Sequence, residues 1–162
     1  MFTESVNKTA SSHKVTRHLL PFFTALVFAL TICPAKLNAQ VIGDLEANIP
    51  FQFYVGNEKL PAGDYRIHVL DNSDLSVMEI SRIDGTGSTV FQVQAAETSN
   101  EPAQNELIFN KYGNRYFLAK LFDEGNPVGS QVPATSYEKK ISQGNVQAQE
   151  HVAAHHRAQK GK

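Results

Sequence analysis

From Glu46 the chain alternates between apolar and polar positions. Ala47, Ile49, Phe51, Phe53 and Val55 fall on one side of the run, and Glu46, Asn48, Pro50, Gln52 and Tyr54 on the other. A period of two marks a strand with one buried face, because successive side chains point to opposite sides of a pleated backbone. After a stretch holding Gly56, Asn57, Pro61, Ala62 and Gly63, Tyr65, Ile67 and Val69 alternate with Asp64, Arg66 and His68. The two runs predict a hairpin with a long, glycine-containing loop. Pro50 has no N–H to give to a ladder, so the first run is expected at a sheet edge or to begin there.

Turn signals then recur at intervals of roughly ten to fifteen residues, the spacing of all-β sandwiches and barrels. LDNSD (70–74), DGTG (84–87), ETSNEPAQN (97–105) and DEGNPVG (123–129) separate runs at 75–83, 88–96 and 106–122 and a last extended piece near 131–133. The 106–122 run carries its own turn near Tyr112, Gly113 and Asn114, which predicts a second hairpin. Residues 136–142 (SYEKKIS) fit two turns of helix. From Gln143 the chain is rich in Gln, Ala and His, with too few large apolar residues to repay its ordering entropy. The expectation is an all-β fold, a single antiparallel β-sandwich or small β-barrel over residues 41–141. Residues 142–162 are expected to form a disordered or transiently helical tail.

The amino terminus changes the picture. Lys8, Lys14 and Arg17 precede an uncharged apolar run at 19–32, and the LNA that follows ends in Ala39, the small residue a signal peptidase requires. Residues 1–39 are therefore expected to be a secretory signal peptide. A spanning helix needs roughly 20 apolar residues, more than this run supplies, so no transmembrane span is expected in the mature chain. The single cysteine, Cys33, sits just past the run, but Ile32 stands where a lipoprotein box needs Gly, Ala or Ser, which argues against a lipid anchor. A mature chain beginning at Gln40 has no cysteine, so its stability must come from its core rather than from disulfides. The reading implies an exported protein, periplasmic or extracellular.

Charge excludes one broad partner class. The 15 Lys+Arg and 16 Asp+Glu are spread along the chain for a net charge of -1. Loss of Lys8, Lys14, Arg17, Lys36 and Glu4 with the leader takes this to -4, against nucleic-acid binding, which calls for a basic face.

Candidate chemistry is sparse. The DGTGS at 84–88 evokes an aspartic-protease triplet, but Gly85 separates Asp84 from Thr86 and no second triplet exists, so a β-turn is expected. His68 lies on the polar side of its strand without a nucleophile to serve. His151 and His155 would share a face of a helical tail at i, i+4, with His156 and Glu150 beside them, a weak pattern for a divalent metal. Tyr54, Tyr65, Tyr112 and Tyr116 are the candidate ligand-binding residues, since exposed rings stack on sugars and apolar molecules. No cofactor is implied.

IPFQFYVGNEKLPAGDYRIHVL (49–70), ELIFNKYGNRYFLAKLFDEGNPVG (106–129) and SYEKK (136–140) together resemble a family of small exported bacterial proteins of unassigned function. Its pattern is I-P-F-x-F-x-V-G, then L-P-A-G-x-Y, then L-x-F-x-x-Y-G-x-x-Y-F-L. The resemblance implies export and a compact β fold and carries over no catalytic residue. The expected function is a non-enzymatic binding or envelope-associated structural module. A protein partner would add a strand at an open sheet edge, while Pro50, Lys111 and Arg115 blunt other edges. The alternatives are a small-ligand carrier with an apolar barrel interior and, third, a hydrolase.

Overall fold

The computed structural model describes residues 43–71 and 73–157. The expected signal peptide at 1–39, with Cys33, lies outside these residues, as do positions 158–162 at the end of the expected tail.

The first alternating run is two strands rather than one. β1 (Leu45–Ile49) buries Leu45, Ala47 and Ile49 and ends where Pro50 can no longer donate to a ladder. The chain then crosses to a second sheet as β2 (Phe53–Val55), which buries Phe53 and Val55. β2 turns at Gly56–Asn57 into β3 (Glu58–Leu60), with Val55 opposite Glu58. Gly56 adopts φ 61, the left-handed conformation that a two-residue hairpin loop demands and glycine enters freely. The chain re-enters the first sheet as β4 (Gly63–Asp71), antiparallel to β1 from Ile49↔Gly63 to Leu45↔Ile67. The expected hairpin therefore forms, and its long loop is itself a small hairpin in the opposite sheet.

LPAGDY has a structural role at that re-entry. Tyr65 is wholly buried, and its hydroxyl donates to the Pro61 carbonyl at 2.7 Å, fastening the corner. Gly63 sits at φ 155, and a Cβ there would come within 3.2 Å of the Arg82 guanidinium.

β5 (Asp74–Arg82) pairs with β4 and, through the Asp84–Gly85 turn, with β6 (Ser88–Gln92). Thr86 donates its N–H and hydroxyl to Asp84 Oδ1, and the hydroxyl bond leads in holding this carboxyl below its usual range. DGTG is thus the expected turn. At Val93 the chain crosses again, to β7 (Gln94–Glu97). β8 (Glu106–Tyr112) and β9 (Arg115–Phe122) form the second expected hairpin around Gly113–Asn114, with one register shift at Ile108/Phe109. β10 (Val128–Gln131) joins β9 to β7. α1 (Ser136–Ser142) is the expected short helix, and the Thr135 side chain caps it by accepting the Glu138 N–H at 3.2 Å.

Within the segment expected as a disordered or transiently helical tail, residues 147–153 and 155–156 are strands. β11 (Gln147–Ala153) pairs along all of β8, and after a fourth crossing at Ala154, β12 (His155–His156) pairs with β1. Burial is only part of what holds it. Ladder hydrogen bonds to β8 take up the backbone groups on one side of it, and Val152 supplies one buried anchor.

The sheets run β12-β1-β4-β5-β6 and β11-β8-β9-β10-β7, with β2 beside β9 and β3 beside β2. Every ladder is antiparallel except the bridge from Tyr54 to Phe117 between β2 and β9. The sheets are not closed into a barrel, so of the two expected all-β architectures it is the two-sheet one that forms. Leu45, Ile49, Ile67 and Ile80 from one sheet meet Phe53, Phe109, Leu118 and Leu121 from the other in a single apolar core. Among the described residues no helix is long and apolar enough to cross a membrane.

Candidate functional site

The tyrosines expected to bind ligand are distributed over three places. Tyr65 is core, as its inward position in the alternation implies, and burial pushes its phenol up. Tyr116 stacks on Phe51 at 3.9 Å between ring centroids, with the Lys111 ammonium 5.1 Å from its ring centre. Tyr54 and Tyr112 do come together, on either side of Phe117, at 5.0 and 5.9 Å. Tyr137 of α1 closes this outer cluster, 5.3 Å from Tyr54 and 5.9 Å from Phe117. A hydrogen bond between the Tyr54 and Tyr137 side chains leads in raising the Tyr54 phenol.

Beneath α1 this aromatic cluster meets a buried carboxyl group. Glu138 is 6% exposed, and Asn110 donates its side-chain N–H to Glu138 Oε1 at 2.8 Å. Gln147 of β11 in turn donates to Asn110 Oδ1 at 2.9 Å. Burial raises the Glu138 carboxyl, and hydrogen bonds from Asn110 and Tyr112 partly offset this. The chain of polar groups ties helix to sheet, and its aromatic neighbours pack against one another at stacked, tilted and edge-on angles.

The three histidines do not share a helical face. On β11 and β12 each meets its own carboxylate: His151 with Glu106 at 2.8 Å, His155 with Glu46 at 3.9 Å, and His156 with Asp123 at 3.5 Å. Glu46 also takes Arg66 at 3.0 Å and Arg157 at 3.9 Å. No group of three or more metal-ligating side chains converges among the described residues. The arrangement fastens the last strands to both sheets.

The sheet edges offer a different kind of site. Lys111 and Arg115 lie on β8 and β9, strands paired on both sides, and Pro50 lies at a crossing, so none of them blunts an edge as expected. β6 ends its sheet, and its five residues, STVFQ, carry no charge. Every other terminal strand, and β3, carries charged or ionisable side chains: Glu58 and Lys59, Glu97, Glu150 and His151, His155 and His156.

The direction of β6's free backbone groups follows from its ladder. Val93 donates its N–H to the Ser76 carbonyl at 2.8 Å, and Arg82 to the Gly87 carbonyl at 2.9 Å. Antiparallel pairs alternate between bonded and unbonded, so Gly87, Thr89, Phe91 and Val93 face β5. Ser88, Val90 and Gln92 then point their N–H and C=O groups out of the sheet, where no other described strand takes them. The Val90 side chain is 53% exposed. Beside this edge opens a groove of about 240 Å³ between Thr89 and Phe91 on one side and Val55, Glu58, Val132 and Pro133 on the other. The site is not legible in the sequence, because alternation shows which way side chains face but not which strand ends a sheet. The uncharged STVFQ run is the one signal the sequence holds.

No family model, curated protein or solved structure matches the chain.

Proposed function

We propose that the chain is an exported, non-enzymatic binding or structural module that works by taking a strand from a protein partner at the β6 edge. The single observation that carries this reading is the open, uncharged edge at Ser88, Val90 and Gln92 beside a groove of mixed apolar and polar lining. Main-chain pairing supplies affinity in strand addition, and alternate side chains entering a neighbouring pocket supply selectivity. Protein edges are ordinarily blunted by charge, proline or bulges, and β6 has none of these. Export rests on the leader expected at 1–39.

A small-ligand carrier is the second reading and uses the same groove. At about 240 Å³ it is smaller than the roughly 300–1,000 Å³ usual for drug-sized ligands, which places this reading behind strand addition.

The test places a photoreactive residue at position 90 in the full chain, expressed with its own leader and irradiated in the compartment it reaches. A protein adduct at 90 that disappears when Gln92→Pro is added supports strand addition. Equal labelling from a control at Leu70, which is as exposed as Val90, or no adduct at 88, 90 or 92, refutes it.

A further inference from the structure

We infer that the first occupant of the β6 edge is a second copy of this chain, paired antiparallel about a two-fold axis through Val90. The inference rests on the strand-addition reading and names its partner. A closed two-fold interface requires a surface that is complementary to itself. Turning STVFQ about its centre sets Val90 against Val90 of the copy and Ser88 against Gln92, with Thr89 against Phe91. The outward-bonding residues are the same three, Ser88, Val90 and Gln92, so each facing pair exchanges both N–H···O bonds. Neither neighbouring copy has an unused partner in this register.

Side chains agree with the backbone. Val90 meets its own equivalent on the outer face, where its exposed methyl groups have no cover at present. The polar ends, Ser88 and Gln92, face each other across the axis, where hydroxyl and amide can bond. Charge favours this edge over β11 and β3. A two-fold pairing turned about a strand's centre sets the central residue against its own equivalent, so β11 would bring Glu150 against Glu150 and β3 Lys59 against Lys59. β6 brings no such pair. The result is one continuous sheet running through two copies, and the groove beside β6 comes to lie along the seam, covered on the side where it now opens.

The register makes the inference testable with cysteines. In the symmetric pairing the Val90 Cα atoms lie about 5.5 Å apart, within disulfide reach. The Ser88 equivalents lie four residues apart along the strands, about 13 Å, and cannot bridge. The full chain, with the wild type as a control for Cys33, is examined by sedimentation and by non-reducing electrophoresis. The expected result is a dimer that dissociates on dilution, a Val90→Cys variant that cross-links under mild oxidation, and a Ser88→Cys variant that does not. Val90→Lys places two ammonium groups on the axis and should shift the chain to monomer while leaving its thermal midpoint at low concentration unchanged.

A wild type that stays monomeric at every concentration overturns the inference, as does a dimer indifferent to Val90→Lys or cross-linking as readily from 88 as from 90. If the chain is monomeric but position 90 still labels a different protein, self-pairing fails and strand addition stands. If neither a dimer nor an adduct forms, both fail.

Discussion

Gly129 shows how closely one residue can be specified. On β10 its α-carbon lies so near β9 that an added Cβ would stand 2.2 Å from the Leu121 carbonyl oxygen and 2.5 Å from the Phe122 ring. The nearest obstacle is backbone, which cannot rotate away as a side chain would. Gly129→Ala should cost about 3 kcal/mol or more, the upper range for overpacking, seen as a lower urea midpoint at unchanged slope. A neutral substitution would mean that β10 is free to move off β9. Glu138 makes a prediction of the opposite kind, in which a variant gains. Its carboxyl is raised by burial, so between the ordinary glutamate range and the raised value the folded chain holds a proton that the unfolded chain releases. That contribution is fully present below the ordinary range and is lost as pH rises through the raised value. Glu138→Gln keeps a hydrogen-bonding group and removes the ionisation. Its stability relative to wild type should therefore rise with pH from the ordinary glutamate range up through the raised value, measured by urea unfolding at each pH. A difference that does not change with pH would show that the carboxyl is well solvated.

At the scale of elements, the period of two was legible wherever a strand faced the core, and the hairpin at Gly113–Asn114 and the turn at Asp84–Gly85 followed from local backbone chemistry. The crossings were not legible. Alternation continues from β1 into β2 because both sheets look inward at the same core, so a strand that changes sheets leaves the pattern intact; Pro50 was the only mark of it. The last strands escaped for another reason. β11 offers one buried residue, Val152, and edge pairing is carried by backbone groups that every sequence shares. Of the candidate site, Tyr65 was legible as an inward position, whereas the openness of β6 depends on strand order. The two accounts of residues 142–162 predict different outcomes on truncation. Ending the chain at Gly144 would strip the β8 edge, remove Val152 from the core, and break the pairs of Lys111 with Glu150 and His151 with Glu106. The thermal midpoint should fall by on the order of 10 °C, equivalent to about 3 kcal/mol. A disordered tail would leave it unchanged.

At the scale of the whole molecule, the four crossings at 50–52, 61–62, 93 and 154 bind the sheets to each other. Each carries the chain from one sheet to the other within about three residues, so neither sheet can leave the core without dragging strands of its neighbour. The buried side chains agree, since the main cluster holds residues from both sheets, with only the small cluster of Ala96, Ile108 and Phe122 belonging to the second sheet alone. Such a chain should unfold as one unit. The five tyrosines and the absence of tryptophan make this measurable, because the tyrosines sample separate places: Tyr65 in the core, Tyr116 beside Phe51, and Tyr54, Tyr112 and Tyr137 around Phe117 under α1. Tyrosine fluorescence and far-ultraviolet dichroism should report the same urea midpoint and slope for wild type. Tyr137→Phe removes the hydroxyl that bonds Tyr54 and should lower that common midpoint without separating the two signals. A fluorescence change that leads the loss of strand signal, and moves further ahead in Tyr137→Phe, would instead show α1 lifting from the sheet before the core yields. The crossings would then hold the sheets but not the helix, and the outer aromatic cluster would be a unit of its own.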